Sequence, residues 1–150
     1  MSKYLFKGMR RDNGEWVFGN YVEGPNTDII LTLTAKGCEY TEVSFMVIKG
    51  TVCQSTQVEY NFHTYFEHDM CEMDIPTEEG GKESIQGIVV FEMGIYFLNE
   101  IGGNYRRWIF SEVATRAIEI GSNITFKDNL YDHPELFKSI KEAPNAKNQD

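Results

Sequence analysis

The feature that most constrains this chain is a period of two in its hydrophobic pattern, punctuated by glycine-bearing turns. Over residues 3–10, Tyr4, Phe6 and Gly8 alternate with Leu5, Lys7 and Met9; Asp12-Asn13-Gly14 follows, and Trp16 to Val22 resumes an extended run. Successive side chains leave a pleated ribbon on opposite faces, so a period of two belongs to strands. An Asn-Gly pair between two such runs signals a hairpin, because both residues tolerate positive φ. Strands are therefore expected near 3–10 and 15–23. Ile29-Ile30-Leu31-Thr32-Leu33-Thr34, rich in β-branched residues, predicts a third. Thr41 to Ile48, Thr51 to Val58 and Phe62 to Phe66 resemble further strands.

Later in the chain the same signals recur. Gln86 to Phe91 leads through Glu92-Met93-Gly94 into Ile95-Tyr96-Phe97-Leu98, a hairpin whose tight connection needs the positive φ that Gly94 supplies. Tyr105 to Val113 and Ala117 to Ile120 read as two more strands, which makes residues 85–125 a meander suited to a small barrel. A helix is expected only at 132–141. There Asp132 and Glu135 have capping-box spacing, Pro134 sits in the first turn, and Leu136, Phe137 and Ile140 form the apolar stripe. The expected fold is thus mainly β in one domain, 1–150: an N-terminal hairpin region (1–60) packed on a barrel-like antiparallel meander (85–125), with one short C-terminal helix.

Charge narrows the partners. The chain carries a formal net charge of −9, and residues 67–83 hold seven acidic residues against Lys82 alone, two-thirds of that excess. This reads as a solvated acidic loop, which repels phosphate backbones and could attract a cation or a basic protein. No basic cluster exceeds the pairs Arg10-Arg11 and Arg106-Arg107, which disfavours nucleic acid. Cys38, Cys53 and Cys71 are too few and too scattered for a disulfide scaffold and read as reduced thiols. The opening Met1-Ser2-Lys3-Tyr4-Leu5 lacks the apolar segment of a signal peptide, and no run approaches the roughly 18 apolar residues of a membrane span. A cytoplasmic location follows as an expectation.

Two groups of residues could carry function. His63, His68, Asp69 and Glu72, with Cys71 and Asp74, are the residue types that ligate zinc and related metals. Their spacing fits no single helix or strand face, so the reading assigns no metal, no cofactor and no catalytic residue. Trp16 with Phe18, and Trp108 with Phe110, stand two residues apart and would share a strand face. With Arg106 and Arg107 they form the candidate binding surface, for stacked bases or for a protein.

Four segments together resemble the YopX family of small phage and prophage proteins. Phe6-Lys7-Gly8-Met9-Arg10 with Gly14-Glu15-Trp16-Val17-Phe18-Gly19 is similar to the opening pattern F-R-G-K…G-x-W-V-x-G. Val47 to Thr56 is similar to V-x-P-x-T-V-G-Q-Y-T-G, with Ser55-Thr56-Gln57 standing for Tyr-Thr-Gly. Tyr65-Phe66-Glu67-His68-Asp69-Met70 falls where the family reads I-Y-E-G-D-I-V. Ile118-Glu119-Ile120-Gly121 and Tyr131 to Leu136 match the closing V-I-G-N-I-Y-x-N-P-E-L-L, so the likeness runs in order from about residue 3 to 140. Family glycines are replaced at Cys53 and His68, the mark of a divergent member. The resemblance implies phage or prophage origin in a bacterial host and a β-rich fold, with no catalytic residue to carry over. The functional expectation is a non-enzymatic accessory module that interacts with a protein or forms a homo-oligomer. A single-stranded nucleic-acid-binding barrel and a metal-dependent enzyme centred on residues 63–74 are the alternatives.

Overall fold

The computed structural model describes residues 5–132. It is mainly β, with two antiparallel sheets and one α-helix among the described residues. The chain divides into two compact units. Among the described residues, one comprises residues 5–59 and Thr64–Phe66; the other comprises Tyr60–His63 and residues 67–132.

The first unit contains β1 (Phe6–Met9), β2 (Trp16–Glu23), β3 (Asp28–Lys36), β4 (Glu39–Val47) and most of β5 (Cys53–Tyr60) and β6 (His63–Phe66), in the sheet order β4-β3-β2-β1-β5-β6. β2 pairs with β1 through Trp16–Gly19 and with β3 through Asn20–Glu23, so it passes from one neighbour to the other at Gly19. Only glycine fits there: a Cβ would lie 2.0 Å from the Leu31 carbonyl oxygen. Arg10 bridges Val47, where Arg11 donates its backbone N–H to the Met46 carbonyl at 3.0 Å, and this brings the base of β4 back to the end of β1. The sheet curls there but does not close into a barrel. Ile30, Val47, Cys53, Tyr65 and Phe66 are the buried apolar residues. Lys7 is also buried, its ammonium 4.7 Å from the Trp16 ring centroid and 5.0 Å from that of Phe66.

The turn between β1 and β2 differs from the expected Asn-Gly hairpin. Arg10 pairs with Glu15 across a longer loop, in which Gly14 takes φ 73° and donates to the Arg10 carbonyl at 3.0 Å, while Asn13 is not left-handed. Instead the Asn13 side-chain oxygen accepts the Glu15 N–H at 2.9 Å, so its role is an Asx contact. Arg10 also clamps Asp12 in two hydrogen bonds, which holds the Asp12 carboxyl below its ordinary range.

The second unit contains β7 (Asp69–Pro76), β8 (Lys82–Glu92), β9 (Ile95–Glu100), β10 (Arg107–Ile109) and β11 (Thr125–Asn129), in the order β10-β9-β8-β7-β11. β8 and β9 meet at a two-residue turn of Met93 (φ 51°) and Gly94 (φ 80°), as the sequence predicts. This sheet is open, so the expected barrel-like meander is corrected to a layered arrangement. A sheet covered on one face by a helix needs no closure to bury its apolar side.

Two further expectations are overturned. Residues 105–113 and 117–120 do not form two strands: β10 is short, and α1 (Phe110–Glu119) follows at once. Phe110, Val113, Ala114 and Ala117, spaced i, i+3, i+4 and i+7, are its buried stripe. The helix ends with Gly121 donating to the Ile118 carbonyl and Ser122 to that of Ala117, a Schellman closure. The acidic stretch is not a loop over its first half either, because β7 occupies a central place between β8 and β11. Cys71, Met73 and Ile75 lie buried along one side of it, while Met70 joins Ile88 and Leu130 in an apolar cluster. The expected helix at 132–141 lies outside the described residues except for Asp132, which ends a short 3-10 turn (Leu130–Asp132). No helix among the described residues is long and apolar enough to cross a membrane.

Candidate functional site

Of the four candidate metal ligands, the structure brings His63 and Asp69 together and directs His68 and Glu72 to other partners. His63, at the start of β6, places Nε2 3.4 Å from Oδ2 of Asp69, and its ring stacks on Phe126 of β11 at 4.0 Å between centroids. Asp69 is fully buried at the start of β7. Its other oxygen accepts from the Asn129 side-chain amide at 2.9 Å, and Asn129 in turn accepts the Tyr131 N–H at 3.0 Å. This chain of bonds satisfies a carboxylate that could not otherwise be buried.

His68 stands only one residue from Asp69 but lies in a left-handed turn, with φ 70°. It meets Tyr131 edge-on at 5.3 Å and Glu67 at 4.0 Å. Glu72 accepts from Gln86 at 2.8 Å and pairs with Lys127 at 3.7 Å. Among the described residues no three His, Cys, Asp or Glu side chains converge on one point.

An imidazole held by a buried carboxylate can relay a proton, but the nearest candidate nucleophile along the chain is inert. Burial, and then the Asp69 charge, push the Cys71 thiol up to about 12, so it stays protonated at neutral pH.

The candidate binding surface is distributed between the units. In the first, Trp16 lies under the Lys7 ammonium and Phe18 packs on Phe66 at 5.6 Å, so both rings are engaged with their own unit. In the second, Arg106 stacks over Trp108 at 5.0 Å, grips Glu100 at 2.9 Å and also bonds Glu83. Arg107 stacks over Phe97 at 4.5 Å and bonds Glu92 and Asn99, each at 2.7 Å. These guanidiniums are neutralised by carboxylates, which lowers their value to a phosphate backbone. Phe110 is buried in α1 and does not share a strand face with Trp108.

The surface that sequence reasoning missed is the β3–β4 hairpin. Register puts Ile29 beside Met46, Leu31 beside Ser44, Leu33 beside Glu42 and Ala35 beside Tyr40 on one face. The opposite face carries the Thr32–Val43, Thr34–Thr41 and Lys36–Glu39 pairs. The first face is largely apolar, with Glu42 and Ser44 among its residues, and its outer part is open to solvent: Leu33 is 59% exposed, Met46 58% and Tyr40 74%. An amphipathic strand ordinarily turns such a face inward. The signal was present as Ile29, Leu31, Leu33 and Ala35 alternating with Thr32 and Thr34, but period two marks a face without saying what covers it.

No family model, curated protein or solved structure matches the chain.

Proposed function

We propose that this protein is a non-enzymatic interaction module, a phage or prophage accessory protein that acts in the cytoplasm of a bacterial host through the apolar face of its β3–β4 hairpin. The observation that carries this reading is the exposure of Leu33, Tyr40 and Met46 on one side of a hairpin whose strands are nine residues long. A patch of this kind on a folded chain marks a surface that another molecule covers. The likeness to YopX has a structural support as well. Of the three positions where another residue replaces a glycine of the family pattern, Gln57 and His68 hold left-handed backbone, φ 62° and 70°, whereas Cys53 starts the extended β5. Such angles are what a glycine position leaves behind when the side chain changes and the turn does not.

Site-specific photo-crosslinking in the host tests the function. A benzophenone amino acid at Leu33 is expected to give one discrete adduct, reproduced with the purified partner, whereas the same probe at the exposed Ser84 of β8 gives none. Equal, diffuse labelling from both positions would reject the reading.

A further inference from the structure

The apolar hairpin face ends at a strand edge, and the edge has a definite geometry. β4 is the terminal strand of its sheet. Met46 offers its carbonyl to Arg11 and Ile48 donates its N–H to Met9, both on the side away from β3. Backbone groups along an antiparallel strand alternate in direction, so Tyr40, Glu42 and Ser44 also point their N–H and C=O groups outward. Among the described residues the open edge is thus three outward residues long, bounded by the turn to β3 at one end and by Arg10-Arg11 at the other. β4 contains no proline or lysine, the residues that commonly blunt such an edge.

A second copy of the chain fits this edge poorly. The twofold antiparallel pairing that satisfies all three outward residues brings the two copies of Glu42 face to face, and like charges directly opposed destabilise a sheet. An axis through Val43 instead sets Tyr40 against Met46, whose carbonyl is already held by Arg11. An axis through Thr41 sets Ser44 against Cys38, in the turn beyond the strand. Glu42 shares its face with Leu33, Tyr40 and Met46, and the register gives it no basic neighbour there. Charge complementarity therefore selects a different occupant.

We propose that the outer edge of β4 takes up an extended segment of another protein by strand addition, with a lysine or arginine opposite Glu42 and apolar residues opposite Tyr40 and Ser44. This rests on the interaction reading above and specifies its partner. Main-chain hydrogen bonds to Tyr40, Glu42 and Ser44 hold the segment, and the side chains that alternate onto the apolar face select it. The basic side chain pairs with Glu42 while the flanking apolar ones extend the Leu33–Tyr40–Met46 surface.

The test uses the full chain and a labelled synthetic peptide, Thr-Ile-Thr-Lys-Thr-Ile-Thr, followed by fluorescence anisotropy. Its counterpart with a central glutamate should bind at least about fivefold more weakly, the factor expected for exchanging an opposed pair of unlike charges for a like one. In the variant Glu42→Lys the preference should reverse, and N-methylation of the edge-facing amides should abolish binding. Circular dichroism checks that the variant keeps its fold. Equal binding of both peptides, binding that survives N-methylation, or no binding at all would overturn the proposal. Concentration-dependent dimerisation of the wild type that Glu42→Gln strengthens would also overturn it, in favour of self-pairing. A discrete crosslink from Leu33 alongside failure of the peptides would discard strand addition and leave the interaction function standing.

Discussion

Gly19→Ala is expected to unfold the first unit preferentially, by an amount that can be worked from the geometry. The added Cβ would stand 2.0 Å from the Leu31 carbonyl oxygen and 2.8 Å from its carbon. Both are backbone atoms, so no side chain can rotate away, and β3 must withdraw by about 1 Å merely to reach 3.0 Å. That withdrawal strains the Asn20–Leu31 pair and the 2.6 Å bond from the Thr32 hydroxyl to the Phe18 carbonyl. Overpacking of about 1–3 kcal/mol plus about 1 kcal/mol for a weakened hydrogen bond gives a loss of about 3 kcal/mol. The two tryptophans make this measurable, because Trp16 lies in the first unit and Trp108 in the second. Urea titration followed by Trp16 fluorescence in a Trp108→Phe background should show the shift. Gly14→Ala is the control: it has open space for its Cβ but φ 73°, so it should lose only about 1–2 kcal/mol. A Gly19→Ala variant within about 0.5 kcal/mol of wild type would refute the argument from close approach.

Three other outcomes follow from the second unit and the thiols. Asn129→Ala leaves the buried Asp69 carboxylate without its amide donor, and should cost about 2–3 kcal/mol in urea unfolding read from Trp108. The side-chain hydrogen bond from Arg106, above all, holds the Glu100 carboxyl below its ordinary range. Its contribution is present above the unfolded-state value and is lost as pH falls through the folded one, so Glu100→Gln should flatten the acid limb of the stability–pH curve. A thiol reagent at neutral pH should modify exposed Cys38 quickly and reach buried Cys53 and Cys71 only on unfolding; rapid reaction of Cys71 would contradict its raised pKa.

What the residues disclosed and what they hid differ by the range of the forces involved. Met93-Gly94 was legible because a two-residue turn is decided by its own φ angles, and Ile29 to Thr34 because alternation with β-branched residues is a local property. β7 was hidden behind its charges. Cys71, Met73 and Ile75 alternate on one side, yet Glu72 and Asp74 between them made the stretch look like a solvated loop. α1 was legible in principle, since Phe110, Val113, Ala114 and Ala117 have helical spacing. The aromatic residues before it favoured a strand.

The candidate site shows the same division. The types at His63, Asp69 and Glu72 could be listed from the chain, but their separation could not. His63 and Asp69 meet within the second unit, while Glu72 points to the other face of β7 and pairs with Gln86 and Lys127. In the sequence Arg106 and Arg107 stand as cations open to a ligand; in the fold they pair with Glu83, Glu92 and Glu100.

Local covalent geometry and side-chain alternation thus settled that this polypeptide forms antiparallel ribbons and where several of them reverse. Which faces are covered came from pairing between segments far apart in the chain. Burial is a property of neighbours: the same alternation lines the covered side of β7 and the open side of β3, and only the fold distinguishes them.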